Sequence, residues 1–203
     1  MEKSLLHRSV KIDAIDEKIE LLGERGIFII GSEIDQSTVG GLFVNVLPKL
    51  SHDDKKPIWV VLDSPGGSIL QGFAVHDFLK ALTLQGWEVN VLGLGQVASM
   101  AVCIMQAATK RYAFPNTQFT VHQASRSGGS DDQEVNELEE IAEELKRLNG
   151  IVLKIVAERS GMDLEELKKL SKKTDYSLDA NMAKDFGQNG LIDEVVTTFP
   201  FLL

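Results

Sequence analysis

The chain has 203 residues, 43% hydrophobic and 25% charged, the balance of a globular protein rather than a disordered one. Lys plus Arg number 21 against 30 Asp plus Glu, a net charge of -9, which argues against a general binder of phosphate backbones. The lone Cys103 excludes an internal disulfide framework and a zinc site built on Cys pairs.

Residues 1–26 read as a polar arm with a weak helical stripe at Ile12, Ile15, Ile19 and Leu22. The arm lacks the apolar centre of a secretion signal, and no stretch reaches the ~18 apolar residues of a membrane span, so a cytoplasmic protein that binds no membrane is expected. Ile27 to Ile30 is a short strand stopped by Gly31. Asp35 is placed to cap a helix whose apolar face is Val39, Leu42, Phe43, Val46, Leu47 and Leu50, with Pro48 bending or ending it early. After a charged loop from His52 to Pro57, the run Ile58 to Leu62 has the continuous apolarity of a strand covered on both faces. It meets the turn Ser64-Pro65-Gly66-Gly67. A helix with Ile69, Leu70, Phe73, Ala74, Phe78 and Leu82 on its stripe follows.

Trp87 to Leu92 is the next strand, ended by Gly93 and Gly95, and a helix runs from about Ser99 to Ala108. Arg111 to Phe114 and Gln118 to His122 are short strands around Pro115-Asn116. Gln123 to Asp132 is a Gly/Ser-rich loop. From Glu134 to Ala157 runs a long amphipathic helix with Val135, Leu138, Ile141, Leu145, Leu148, Val152 and Ile155 along one side and glutamates along the other. Such a helix, roughly 36 Å long at 1.5 Å per residue, outruns the core it could cover and is expected to bury part of its stripe on a partner helix. Gly161 ends it. Asp163 with Glu166 reads as a capping box, Asp179 as the cap of a further short helix, and Leu191 to Val196 as a closing strand. Alternation of strands and helices predicts an α/β layered fold with mostly parallel strands, a single domain from residue 27 to 203.

Three features are candidates for chemistry. Ser99 opens an apolar helix directly after a strand. His122 ends another strand. Gly66-Gly67 turns at the end of a third. Taken singly, each has an ordinary structural use: a helix cap, a satisfied strand-end histidine, a turn. In open parallel sheets, however, ligands bind beyond the carboxyl ends of strands, where all three lie. Together they supply the parts of acyl transfer. A serine hydroxyl becomes a nucleophile when a base takes its proton, and histidine does so near neutral pH. The base needs an acid to hold its tautomer, and the oxyanion needs backbone N–H groups. The residues alone leave that acid open, with Asp63, Asp179, Asp185 and Asp193 among the competitors.

The blocks Ser64-Pro65-Gly66-Gly67-Ser68, Gly95-Gln96-Val97-Ala98-Ser99-Met100 and Arg111-Tyr112-Ala113-Phe114-Pro115-Asn116, leading to Val121-His122-Gln123, resemble in order and spacing the ClpP family, the proteolytic subunits of Clp proteases. The segment Asp175-Tyr176-Ser177-Leu178-Asp179-Ala180, with Ala183, Phe186-Gly187 and Leu191-Ile192-Asp193, is similar to that family's stretch around its catalytic aspartate. The resemblance runs from about Ile27 to Val196. It implies the ClpP/crotonase-type spiral of strand-strand-helix units with a protruding handle helix, about residues 131–159. It also implies a catalytic triad of Ser99, His122 and Asp175, and oxyanion-hole amides at Gly67 and Met100.

By the same resemblance the chain is a serine endopeptidase subunit that cleaves unfolded polypeptides inside a chamber closed by two stacked seven-membered rings. It would need no metal or other cofactor, and ATP would be used only by a separate AAA+ unfoldase. No nucleic-acid partner is implied. The chain departs from the family pattern at Asp63, Ala101, the loop from Ala124 to Asp132, the N-terminal arm and the apolar tail Phe199-Pro200-Phe201-Leu202-Leu203, which suggests a divergent, phage-like member. Two other readings were weighed: an acyl-CoA hydratase or isomerase of crotonase type, and a ring-forming scaffold without activity. An intact Ser99, His122 and Asp175 favours the peptidase.

Overall fold

Ile58 to Ser64 (β2) is the most buried strand of the sheet, with six of its seven residues inside. A computed structural model describes residues 17–50, 55–125, 135–172 and 175–202. In it β2 lies between β1 (Ile27–Ile30) and β3 (Val89–Ala98), parallel to both. The main path of the sheet is β1-β2-β3-β4-β7, where β4 is Lys110–Ala113 and β7 is Glu194–Val195. Every pair on that path is parallel, as the alternating pattern predicts. The exception lies off the path: β5 (Gln118–Val121) runs parallel to β3 and carries β6 (Tyr176–Leu178) antiparallel on its far side.

The helices follow their sequence signals. Residues 17–24 form α1, whose Leu22 packs on a small outer cluster of Ile27, Trp59 and Val61. Ile19 of the expected stripe is exposed, while Ile12 and Ile15 lie outside the described residues. Asp35 caps α2 (Gln36–Val46) by accepting the Thr38 N–H at 2.8 Å, and Pro48 sits in the 3-10 turn that ends it. α3 (Ile69–Leu84) follows the Gly66-Gly67 turn. Asp163 and Asp179 cap α6 (Leu164–Ser171) and α7 (Ala180–Lys184).

Three boundaries differ from expectation. β3 does not stop at Leu92 but continues through Gly93 and Gly95 to Ala98. Glycine was read as a stop there. Gly93 instead pairs with Leu62 on one side and Ala113 on the other, and Gly95, at φ +62°, backs onto the Asp63 carboxylate. A register shift between Leu62 and Ser64 bends β3, so its first half faces β4 and its last residues face β5. α4 is shorter than expected, Met100–Met105. The closing strand is only Glu194–Val195, because Leu191 and Ile192 are buried outside the ladder, the Leu191 N–H being bonded to Ala183 O.

The long helix α5 is Val135–Ser160, about 39 Å at 1.5 Å per residue. Residues 131–134 of the expected handle lie outside the described residues. Its last turns bury Leu148, Leu153, Val156 and Ala157 against the core, whereas Leu138 is 48% exposed. The stripe is therefore divided: one end packs within the chain and the other is left bare. At the centre of the core, Cys103 on α4 has no exposed surface, and burial, helped by the charge of Asp77, pushes its thiol up to about 12.

Arg111, at the start of β4, is also fully buried. Its guanidinium donates to Gln106 Oε1 at 2.7 Å, Gly190 O at 2.8 Å, Asn189 O at 2.9 Å and the carboxylate of Asp193. Its backbone N–H donates to Asp193 Oδ2 at 2.7 Å. Partial burial raises the Asp193 carboxyl, but the hydrogen bonds and charge of Arg111, with Arg159 behind it, outweigh this and hold it below the ordinary value of 3.8. Leaving a buried acceptor without its donor costs about 1–3 kcal/mol, and Arg111→Met does this to Gln106 Oε1 and Gly190 O, so it should lower the unfolding free energy by at least about that amount in a denaturant titration. A depressed folded-state carboxyl contributes stability that is present above 3.8 and lost as pH falls through the folded value. Stability measured from neutrality down through that window should therefore drop in the parent chain and less steeply in Asp193→Asn.

Candidate active site

β3 ends at Ala98, and the chain must turn at once into α4. Ser99 makes this turn at φ 54°, ψ −122°, the one non-glycine with positive φ among the described residues. Such a backbone costs on the order of 1–3 kcal/mol and persists only where the surroundings enforce it. The enforcement is visible. The Ser99 N–H donates to Thr120 O at 2.8 Å, and its carbonyl accepts from Val102 N–H at 3.1 Å. Gly66 presses on the turn from the other side, so closely that a Cβ there would stand 2.6 Å from Ser99 Cβ and 2.8 Å from Ala98 O.

The ordinary use of a serine at this position is capping, but the Ser99 side chain caps nothing. Among the described residues its hydroxyl has no hydrogen-bond partner, and it is half-buried at the wall of a groove. His122 lines the same groove, together with Pro65, Gly67, Leu70 and Leu145. Both residues also border a narrow apolar slot walled by Ile69, Val102, Val121, Val152 and Val156. The structure therefore brings Ser99, His122 and the glycine turn together, as three strand ends predict.

Gly67 is held by a bridge to Ile34: Ile34 N–H donates to Gly66 O at 2.7 Å, and Ser68 N–H to Ile34 O at 2.8 Å. These bonds use the groups on either side of Gly67 and leave its own N–H outside the bridge. At φ +147° a Cβ on Gly67 would meet Ile34 O at 2.5 Å, so the close approach requires glycine. The Met100 N–H, first in α4, likewise donates to no carbonyl among the described residues. Two unused amides thus flank Ser99, the type of donor an oxyanion needs. Met100 is seated by Gly72 of α3, where a Cβ would stand 2.1 Å from Met100 Cγ.

The His122 Nδ1 lies 2.7 Å from Gln123 O. A carbonyl can only accept, so Nδ1 carries a hydrogen; in the neutral ring this leaves the lone pair on Nε2, the tautomer of a general base. Antiparallel pairing of Val121 with Tyr176 sets His122 opposite Asp175 one step beyond the ladder. Asp175 is exposed, and its carboxylate makes no hydrogen bond among the described residues. His122 and Asp175 are thus the next residues past a shared rung, and among the described residues no hydrogen bond joins them.

The competing carboxylates are engaged elsewhere, apart from Asp185, which is exposed just beyond α7. Asp63 accepts Gln96 N–H at 3.0 Å, Asp179 caps α7, and Asp193 is held by Arg111. The sequence reading picked Gly67 but not the separate service of Gly66, Thr120 and Asp63 in shaping the turn. Two adjacent glycines before the Ser99 block were the available signal.

Among the described residues, no group of three His, Cys, Asp or Glu side chains is arranged to hold a metal ion. No helix among them is long and apolar enough to cross a membrane. The arrangement, among the described residues, of a half-buried, strained serine, a histidine with a free Nε2 and two unused amides is one that can attack a carbonyl and stabilise the resulting oxyanion.

The model of the Clp protease family matches residues 10–199. The chain is 32% identical over 178 residues to the "ATP-dependent Clp protease proteolytic subunit 2" of Prochlorococcus marinus (strain NATL2A), covering 87% of this chain and 84% of that protein. It is equally similar, at 32% over 178 residues with the same coverage, to the "ATP-dependent Clp protease proteolytic subunit 3" of Parasynechococcus marenigrum (strain WH8102). The chain belongs to the Clp protease family.

A methyl group on Gly66 would push directly on Ser99 and force an L-residue to φ +96°. A displacement of about 1 Å at a reacting atom typically costs on the order of a hundredfold in rate. Gly66→Ala should therefore lose about a hundredfold in hydrolysis of a short fluorogenic peptide while keeping its circular dichroism spectrum. Parental turnover in that variant would show that the turn tolerates the shift.

Proposed function

We propose that the chain is a serine endopeptidase subunit that cleaves unfolded polypeptides, with Ser99 as nucleophile, His122 as base and Asp175 as the acid that completes the triad. The observation that carries this reading is the Ser99 turn: a strained backbone whose hydroxyl makes no hydrogen bond among the described residues and lines one groove with His122. In the reaction, Ser99 Oγ attacks the scissile carbonyl carbon as Nε2 takes its proton. The carbonyl oxygen becomes an oxyanion and accepts from the N–H groups of Gly67 and Met100. Nε2–H then protonates the leaving amine, and the C–N bond breaks. Water, deprotonated by the same nitrogen, hydrolyses the acyl-serine ester and restores the hydroxyl. Asp175 stabilises the imidazolium in both halves. No cofactor enters any step.

Family membership supports the assembly part of the reading. The relatives above are named as proteolytic subunits of ATP-dependent proteases. By analogy this chain forms two stacked seven-membered rings, and an AAA+ unfoldase supplies the ATP-driven work. The N-terminal end of the α5 stripe, with Leu138 exposed and Ile141 and Leu145 half-buried, is a surface suited to the ring-to-ring contact. Membership in this family also weighs against an acyl-CoA hydratase.

Two measurements test the proposal. Ser99→Ala should lose on the order of 10⁴-fold or more in peptide turnover, and a fluorophosphonate should label the parent at Ser99 only. A variant that keeps a tenth of parental turnover refutes the assignment. Replacing Leu138 and Leu145 together by Glu should reduce the native mass from a double ring to a single ring or smaller. An unchanged mass would show that the stripe is not the contact.

A further inference from the structure

One peptide group joins His122 to the long helix. The peptide between Gln123 and Ala124 accepts the His122 Nδ1 hydrogen at its carbonyl, 2.7 Å away. The N–H of the same peptide donates to Asn149 Oδ1 at 2.9 Å. A trans peptide is planar, with its C=O and N–H pointing in opposite directions. Fixing the N–H therefore fixes where the carbonyl stands. Asn149, half-buried on α5, sets the group that His122 Nδ1 bonds.

Nδ1 has one hydrogen, and Asp175 is the next residue past the rung that pairs Val121 with Tyr176, its carboxylate making no hydrogen bond among the described residues. A neutral carbonyl holds the right tautomer but stabilises the imidazolium less than a carboxylate does. We propose that Asn149 is a positioning residue, a latch that keeps His122 in a resting orientation through the 123–124 peptide. Its release lets Nδ1–H pass from Gln123 O to Asp175. Asn149 acts only through His122. The proposal rests on the serine-peptidase reading of the site.

The test uses the full chain in its native assembly. Asn149→Ala removes Oδ1 while putting the best helix former on a helix. It should raise the rate of fluorophosphonate labelling at Ser99 and the kcat on a short fluorogenic peptide by about tenfold, with KM unchanged, as expected when the base rather than the groove is altered. Asn149→Asp keeps an acceptor at the same place and should label at the parental rate. Adding Asp175→Asn to Asn149→Ala should abolish the gain. Labelling of Asn149→Ala no faster than the parent overturns the latch, as does Asn149→Asp labelling as fast as Asn149→Ala.

The proton resonance of His122 Nδ1 reads the same contact without enzymatic turnover. It should move downfield from parent to Asn149→Ala as the acceptor changes from carbonyl to carboxylate. A carboxylate-type position already present in the parent overturns the proposal, with no variant needed. If the resonance moves as expected but Ser99 is never labelled, the peptidase reading fails and the latch stands.

Discussion

Arg111 brings a permanent charge into a place from which water is excluded, and the C-terminal part of the chain is arranged around that fact. A guanidinium without partners could not be buried there. Its donors are met by the side chain just after α4, by two carbonyls of the loop that follows α7, and by Asp193 at the entry to the last strand. The Asp193 N–H returns a bond to Arg111 O, and Gln106 also donates to Leu191 O. One side chain thus closes segments nearly eighty residues apart into a single unit. Because α4 begins directly after Ser99, the same network fixes the far end of the helix on which the strained turn is built.

That turn is a second constraint, of opposite character. Arg111 is stable because every donor is satisfied, whereas the groups around Ser99 are held while their bonding capacity is left unused. The Gly67 and Met100 amides and the serine hydroxyl are all unspent. Their surroundings, by contrast, are rigid: Thr120 O on one side, the Ile34 bridge on the other, Gly72 beneath Met100. Ser99 and the two amides are kept ready by their neighbours, while His122 is still tied to Gln123 O.

Much of this was legible in the chain. The apolar run of β2, the Asp35, Asp163 and Asp179 caps, and the amphipathic stripe of α5 are local signals, and each produced the element its chemistry predicts. Ser99, His122 and the glycine turn were readable because each follows a strand end. The candidate acid was legible only through the family resemblance, since residue type does not distinguish Asp175 from its competitors. The pairing of β5 with β6, more than fifty residues apart in sequence, brings the segments that carry His122 and Asp175 together. Gly93 and Gly95 were misread because a glycine that stops a strand and one that lets two backbones approach look the same in one dimension. The division of the α5 stripe into packed and bare ends follows from where the core stops, which periodicity does not encode.

Cys103 gives the α4 turn a clock of its own. The thiol sits one turn of helix beyond Ser99, has no exposed surface, and is shifted to about 12, so in the closed state it is neither reachable nor ionised at neutral pH. Any reaction with an external thiol reagent must wait for the helix to lift from the core. The rate of that modification therefore counts openings of the element that carries the serine, separately from global unfolding. With a single cysteine in the chain, the signal is unmixed, and this protein reports the breathing of its candidate nucleophile without any added label.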